Sequence, residues 1–214
     1  MYHRIIINME EFADIVAANK IVPKSIMEIG SLHGKDADEL EKRFKTNNVT
    51  IFEAHHLLYE NIKRDYPNYK VYNLAISNID KEIEFNCVKQ GDRRTGSSSV
   101  LDRKGIDYYK HKVMAKRMDT FIKENDIKEI DVLKIDVEGH SYELLEGFGD
   151  KLKIVKAMHI ENEHKICWDN QKLYADVERV LIEAGFYLVA IKAAFPQTDS
   201  VWIKRELFNP KWWM

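Results

Sequence analysis

Two carboxylates and an imidazole directly follow one apolar run of the chain. In "KIDVEGHSYELLEGF", residues 134–148, Asp136, Glu138 and His140 stand where a hydrophobic segment ends and a helical pattern begins. Such groups take up and release protons, and carboxylate oxygens also bind divalent cations. His140 is the natural general base because the unperturbed pKa of histidine is about 6.5. The run therefore predicts a catalytic group of Asp136, Glu138 and His140.

A second polar cluster ends the next apolar run, "AMHIENEH". His159, Glu161 and Glu163 alternate there, so on an extended strand they share one face. Because the carboxyl ends of neighbouring parallel strands meet at one edge of a sheet, this cluster is expected near Asp136. We take His159 as a further catalytic candidate and Glu161 as a substrate contact. The alternative for each histidine is an ordinary buried polar residue.

A glycine turn follows the first predicted strand. In "MEIGSLHGKDADEL" the pattern E-x-G-x-x-x-G is carried by Glu28, Gly30 and Gly34. It fails the dinucleotide fingerprint G-x-G-x-x-G because Leu32 replaces the second glycine, and its glycines are one residue too close for a phosphate loop. A glycine turn lets the backbone approach a ligand closely, and a carboxylate at the strand end suits an ammonium group. Together they favour a nucleoside that carries an amino acid as the ligand. Ser31 lies inside this turn.

The next two predicted strand ends could hold the rest of such a ligand. Glu53 ends "TIFEA", 23 residues beyond Gly30, where a carboxylate can accept hydrogen bonds from a ribose diol. Ala54 follows it. In "YNLAIS", Ala75 and Ile76 are small or apolar, so an adenine ring could lie flat against them. The alternatives are a strand-end glutamate without a ligand and ordinary core residues.

Strand and helix patterns alternate along most of the chain. The predicted strands are "SIMEIG", "NVTIFEA", "YKVYNLAIS", "EIDVLKID", "IVKAMHIE", "FYLVAI" and "DSVWIK". Predicted helices lie between them, among them "KDADELEKRF", "HLLYENIKRDY" and "MDTFIKEN", while "KEIEFNCV" alternates like a hairpin arm or edge strand. This order implies parallel pairing through right-handed crossovers. The prediction is an α/β fold with a doubly wound, mostly parallel, seven-stranded, Rossmann-like sheet and helices on both faces.

The composition fits one globular domain over residues 1–214, with an N-terminal helical segment at 1–24. Hydrophobic residues make up 45% and charged residues 32%, and the net charge of −2 gives no global field toward nucleic acid or an anionic membrane. The start has no signal-peptide pattern, and no apolar run is long enough to span a bilayer. A cytoplasmic protein without a membrane span is expected. Cys87 and Cys167 form no C-x-x-C pair, so reduced structural cysteines are predicted.

Residues 89–117 read as a basic insertion near the predicted site. They hold nine Lys or Arg residues against three Asp, which would attract an anionic or glycan acceptor to a mobile segment. The substrate candidates in this insertion are Ser97, Ser98, Ser99 and Tyr108. A solvated loop without a ligand is the alternative.

The run "RMDTFIKENDIKEIDVLKIDVEGHSYELLEGF" resembles the signature of the FkbM family of class I S-adenosylmethionine-dependent methyltransferases. Members are mostly O-methyltransferases of sugars and natural products, and their signature is a strand that ends in I-D-x-E-G-x-E after a short D-x-F/L helix. One departure is that "HSYE" displaces the second glutamate, which leaves His140 and Ser141 after Gly139. The resemblance covers about residues 25–204 and is most specific at 130–148.

This resemblance implies a site for S-adenosylmethionine along the strand ends. Its residues, from the methionine part through ribose to adenine, would be Glu28, Gly30, Ser31, Gly34, Asp136, Glu53, Ala54, Ala75 and Ile76. By position, Asp136, Glu161 and Asn162 also resemble the magnesium ligands of catechol-type O-methyltransferases, and an all-oxygen set suits Mg²⁺ or Mn²⁺. That second family has a lysine base three residues after its aspartate, where this chain has Gly139.

The leading hypothesis is an S-adenosylmethionine-dependent O-methyltransferase that acts on a sugar hydroxyl of a glycan or glycoconjugate. The alternatives are methylation of RNA ribose or another small molecule, and a non-catalytic cofactor-binding module. A nicotinamide oxidoreductase is opposed by the failed G-x-G-x-x-G, and base N-methylation by "DVEG" in place of D/N-P-P-Y/F. A carbohydrate is therefore the expected partner and nucleic acid is not. A homo-oligomer is compatible with the sequence.

Overall fold

A computed structural model describes residues 7–89, 91–92 and 94–213, so residues 1–6 of the predicted N-terminal segment lie outside it, as do residues 90 and 93 of the basic insertion. The helices are α1 (Met9–Ala18), α2 (Lys35–Phe44), α3 (His56–Asp65), α4 (Met118–Glu124), α5 (Ser141–Phe148) and α6 (Tyr174–Glu183). The strands are β1 (Ile26–Ile29), β2 (Val49–Phe52), β3 (Lys70–Tyr72), β4 (Ala75–Ser77), β5 (Lys81–Val88), β6 (Tyr108–Arg117), β7 (Ile130–Ile135), β8 (Val155–Glu163), β9 (Phe186–Ala194) and β10 (Gln197–Lys204).

The main sheet has seven strands in the order β3-β2-β1-β7-β8-β10-β9. Its pairs are parallel except those of β10, which runs antiparallel to both of its neighbours. The predicted fold class, a doubly wound and mostly parallel seven-stranded sheet, is confirmed. Successive connections leave β1 in one direction and β7 in the other, so a crevice opens at the carboxyl ends of these two strands.

Both faces of the sheet are covered by helices, which explains the near-continuous apolar character of its central strands. All four residues of β1 and all six of β7 are buried. On β7, Leu133 belongs to the core packed under α4, α5 and α6, and Val132 to the core under α1, α2 and α3. Among the helices of the described residues, none is both long and apolar enough to cross a bilayer.

A second, three-stranded sheet has the order β4-β6-β5 and differs from the sequence expectation in two ways. "YKVYNLAIS" was predicted as one strand, but it divides into β3 in the main sheet and β4 in the small one. The predicted mobile insertion contributes the ten-residue strand β6, which pairs antiparallel with β5. "KEIEFNCV" is thus a hairpin arm, and the hairpin rests beside the crevice.

Candidate active site

A pocket of about 880 Å³, part of it open to solvent, occupies the crevice at the carboxyl ends of β1, β2, β7 and β8. Both sheets contribute to its walls. The lining residues are Ile29, Gly30, Leu32, Phe52, Glu53, Ala54, Leu58, Leu74, Ala75, Ile76, Phe85, Thr95, Gly96, Ser98, Val100, Asp136, Val137, Glu138, His140 and Glu161.

The glycine turn after β1 lies directly against the end of β7. Gly30 has φ +78°, and a Cβ atom added to it would lie 1.8 Å from the backbone oxygen of Asp136. Only glycine fits this approach, because a side chain would meet backbone that cannot rotate away. The turn is closed by Ser31, whose Oγ accepts a hydrogen bond from the Gly34 N–H at 3.0 Å. Of these residues Gly30 lines the pocket, and Ser31 and Gly34 shape the turn behind it.

Glu53 follows the last residue of β2 and holds the backbone on both sides of the pocket. Its Oε2 accepts from the N–H groups of Ser31 at 3.1 Å and Leu32 at 2.8 Å, and its Oε1 accepts from His55 N–H at 2.8 Å. Burial raises the pKa of Glu53, although these three donors oppose the shift. A carboxylate has about four acceptor positions. One therefore remains available to a ligand hydroxyl.

Glu28 was predicted beside the ligand, but its side chain does not line the pocket. It lies inside β1 rather than beyond its end, is fully buried, and accepts a hydrogen bond from Ala37 N–H of α2 at 3.2 Å. Burial raises the pKa of Glu28 to about 8, even though the ammonium of Lys134, 3.6 Å away, opposes this. The side chain of Glu28 therefore lies under α2 and not in the pocket lining.

Lys134 is a functional candidate that sequence reasoning missed. Its Nζ lies 3.3 Å from Asp136 Oδ2, 3.0 Å from Asp36 Oδ2 and 3.6 Å from Glu28 Oε1. Burial by itself would lower the pKa of Lys134, but the three carboxylates outweigh it and raise the pKa. A charged ammonium is therefore held beside Asp136. The signal was a single lysine among the apolar residues between the two aspartates of "DVLKID".

Three carboxylates converge on the far side of the pocket. Single oxygens of Asp136, Glu138 and Glu161 all lie within 4.8 Å of one another. Burial and the negative charges of Asp136, Glu161 and Glu163 raise the pKa of Glu138 well above its usual value. Its Oε2 is buried and has no hydrogen-bond partner among the described residues. Glu138 therefore holds its proton more tightly than an ordinary carboxyl group does.

Two comparisons place this geometry among known proteins. A family model for the methyltransferase FkbM domain matches residues 26–188. The chain belongs to the FkbM methyltransferase family. It is therefore an S-adenosylmethionine-dependent methyltransferase. No curated protein sequence matches the chain significantly.

Solved structures similar to this FkbM protein include magnesium protoporphyrin IX methyltransferase from Synechocystis PCC 6803. With bound SAM it has a TM-score of 0.52 at 10% identity, covering 92% of this chain and 77% of that one. With bound SAH the TM-score is 0.52 at 9% identity, covering 92% and 81%. At this identity the likeness concerns the fold, which is that of class I methyltransferases.

The two histidines predicted as catalysts of the FkbM chain lie in different places. His140 lines the pocket, but its Nε2 lies 3.0 Å from Ser77 Oγ, and burial lowers the pKa of His140 to about 4. It would be a weak base at neutral pH. His159 lies outside the pocket lining, buried against the ring of Phe12 at 5.6 Å. Burial also lowers the pKa of His159 to about 4.

Asn162 does not join the predicted metal ligands Asp136 and Glu161. It follows Glu161 on the extended strand β8, so its side chain points to the opposite face, where it is buried. Glu138 lies in its place in the carboxylate group. Any metal site here would therefore consist of three carboxylates.

The predicted substrate residues of the basic insertion are divided by the structure. Ser98 lines the pocket. Ser99 is buried and donates its hydroxyl hydrogen bond to the backbone oxygen of Glu138 at 2.7 Å, so it supports the carboxylates from behind. Ser97 lies outside the lining, and Tyr108 donates to Asp102 Oδ1 at 2.7 Å away from it.

Other pocket residues escaped sequence reasoning because they carry no recognisable chemistry. The insertion adds Thr95, Gly96 and Val100, and Phe85 of β5 completes an apolar wall beside Ala75 and Ile76. Nothing in the sequence tells which apolar residues of the small sheet face the crevice. That depends on how the hairpin docks.

Proposed function

We propose that this methyltransferase transfers a methyl group to a sugar hydroxyl. The observation that carries the proposal is the group of Asp136, Glu138 and Glu161, which opens into the same pocket as the glycine turn and Glu53. A sugar hydroxyl is a poor acid and needs a base to become a nucleophile. Carboxylates also accept hydrogen bonds from neighbouring hydroxyls of a sugar ring. The family resemblance points to the same acceptor class.

The pocket residues fit S-adenosylmethionine in three parts. The methionine part would lie at the turn of Gly30, where no side chain obstructs the backbone. The ribose would bind the remaining acceptor position of Glu53. The adenine would lie between Ala75, Ile76 and Phe85, which form the apolar wall.

The bound cofactor supplies an electrophilic methyl group on a positively charged sulfur. Asp136, held by Lys134, would accept a hydrogen bond from the hydroxyl of the acceptor and add negative charge to the pocket. Glu138 would take the proton of the acceptor hydroxyl as its oxygen accepts the methyl group, and S-adenosylhomocysteine would be the leaving group. Positioning supplies much of the rate enhancement in such a displacement. The raised pKa of Glu138 makes it a stronger base than an ordinary carboxylate.

A second candidate is that the same three carboxylates bind Mg²⁺ or Mn²⁺, which would acidify the hydroxyl instead. The observation in its favour is that three oxygens lie within 4.8 Å of one another. The two versions predict different responses to a chelator. Under the base hypothesis EDTA leaves turnover unchanged, and under the metal hypothesis EDTA abolishes it and Mg²⁺ or Mn²⁺ restores it.

The test is an assay of S-adenosylhomocysteine release with separate panels of monosaccharides, oligosaccharides and RNA, each with EDTA and with Mg²⁺. Turnover with a sugar, and a product methylated on oxygen by mass spectrometry, is expected. Turnover with RNA alone would favour the ribose alternative, for which the basic insertion is the supporting feature. The proposal would be overturned if calorimetry detected no binding of S-adenosylmethionine at high micromolar concentrations of this ligand.

A further inference from the structure

Two histidines and a cysteine form a compact cluster beside the cofactor pocket, apart from the carboxylates. His55 and His56 begin helix α3, and Cys87 lies on β5 of the small sheet. One ring nitrogen of each histidine and the Sγ atom of Cys87 lie within 4.8 Å of one another. His55 and Cys87 are both 0% exposed. Cys87 lies 31 positions after His56 in the sequence, so the docking of the small sheet beside α3 brings the thiol to the two histidines.

The side-chain hydrogen bond of His55 leaves the lone pair of its other ring nitrogen without a partner among the described residues. Its Nε2 lies 3.0 Å from the backbone oxygen of Val88. A carbonyl only accepts, so Nε2 carries the proton and Nδ1 carries the lone pair. This Nδ1 is buried and has no hydrogen-bond partner in the described part of the chain. A histidine that binds a metal typically donates its other N–H to a carbonyl in this way.

A second buried lone-pair position supports the same interpretation. The Nδ1 atom of His56 is also buried, and none of the described residues bonds to it. Buried polar atoms without partners are rare because they lose water and gain nothing in return. The two nitrogens lie on adjacent residues beside a buried thiol. One partner that accepts electron pairs would satisfy all three groups.

Burial raises the pKa of the Cys87 thiol to about 12, so a bound metal ion would have to displace its proton, and one neighbouring group opposes this shift. Cys87 is paired with Tyr109 across the β5–β6 hairpin, and the Tyr109 hydroxyl donates a hydrogen bond to the sulfur. Such a donor stabilises negative charge on sulfur. The Tyr109 ring also lies edge-on to both His55 and His56, with centroids 6.1 and 6.0 Å apart. The hairpin therefore closes the cluster from one side.

We propose that His55, His56 and Cys87 bind a Zn²⁺ ion. Two imidazoles and a thiolate are the ligand types of this borderline-soft cation, whereas the carboxylates of the main site suit harder ions. Three protein ligands leave the fourth tetrahedral position to water. The ion would join the start of α3 to the small sheet. The backbone N–H of His55 also donates a hydrogen bond to Glu53 Oε1. The ion would therefore stabilise the side of the pocket proposed to bind the ribose.

The test uses the full untagged chain, stripped with a chelator, reduced with a phosphine and titrated with Co²⁺ as a spectroscopic substitute for Zn²⁺. We expect one equivalent of Co²⁺ to produce visible d–d bands of a four-coordinate ion and a near-ultraviolet thiolate charge-transfer band. Zn²⁺ should displace it and raise the Tm by roughly 5 °C. The thiolate band distinguishes this site from the carboxylates, which contain no sulfur.

Variants assign the ligands. Cys87→Ser should lose the thiolate band, whereas the matched control Cys167→Ser should keep it. His56→Gln, at a position that is only half buried, should weaken Zn²⁺ binding at least about tenfold if its nitrogen is a ligand. It remains informative if Cys87→Ser fails to fold. Absence of a thiolate band in the unmodified protein, or a band that survives Cys87→Ser, would overturn the proposal.

Discussion

The two sides of the pocket hold their carboxylates in opposite ways. On the glycine-turn side, Glu53 is satisfied by three backbone N–H groups, which order the ends of β1 and β2. On the other side, Glu138 faces Asp136 and Glu161, and one of its oxygens has no hydrogen-bond partner among the described residues. A carboxylate that accepts hydrogen bonds from several backbone N–H groups holds those segments in place. A carboxylate that lies close to other negative charges holds its proton more tightly. We infer that the first side binds and the second side reacts.

Gly30→Ala tests the most demanding contact on the binding side. The new methyl group would meet the Asp136 backbone oxygen at 1.8 Å in a left-handed conformation, so we expect a loss of more than about 4 kcal/mol in the free energy of unfolding. Urea denaturation measures this. The matched control is Gly105→Ala, which has the same φ of +78° and nothing within 4 Å. It should lose only about 1 kcal/mol, and equal losses would remove the contact as the cause.

Glu138→Gln tests the reacting side. We expect kcat to fall about 100-fold or more because the variant cannot accept the hydroxyl proton, while calorimetry finds cofactor affinity nearly unchanged. In the unmodified enzyme kcat should fall as the pH drops through the raised pKa of Glu138, and the variant should lose this dependence. His140→Gln, in the same pocket, is the control and should change kcat less than about threefold. A larger loss there would restore His140 as the base.

Glu53→Gln tests whether the binding side contacts the cofactor. The amide keeps the shape of the side chain but removes its charge and one acceptor, so we expect the Kd for S-adenosylmethionine to rise about tenfold. At saturating cofactor, kcat should change much less. Glu28→Gln, the same substitution on the neighbouring strand and outside the pocket, should leave this Kd within about twofold. A similar loss in both variants would contradict the distinction between them.

Glu28→Gln also has a pH signature of its own. Because the folded pKa of Glu28 is raised from 4.5 to about 8, this carboxyl contributes stability that is full below pH 4.5 and is lost as the pH rises through 8. Over that window the unfolding free energy of the unmodified protein should fall, relative to Glu28→Gln, by about 1 kcal/mol per pH unit. Urea denaturation at several pH values tests this. Glu39→Gln, on the exposed face of α2, should behave like the unmodified protein.

The sequence predicted the strand ends of the site well, because the chemistry of each end is local. Gly30, Glu53, Asp136 and Glu138 were expected near one another, and all four line the pocket. The division of "YKVYNLAIS" between two sheets was not predictable from its pattern. Tyr72 and Ala75 lie only three residues apart, and pairing with different distant strands separates them.

The sequence alone determined the alternation of strands and helices, the doubly wound class and the order in which polar groups follow the strands. These features depend on residues close together in the chain. The tertiary structure decided which groups face the pocket. Glu28 lies under α2 and His159 under α1, because the helices cover the faces of the sheet at these positions. It also set the proton affinity of Glu138, because burial and neighbouring charges come from segments that only folding brings together.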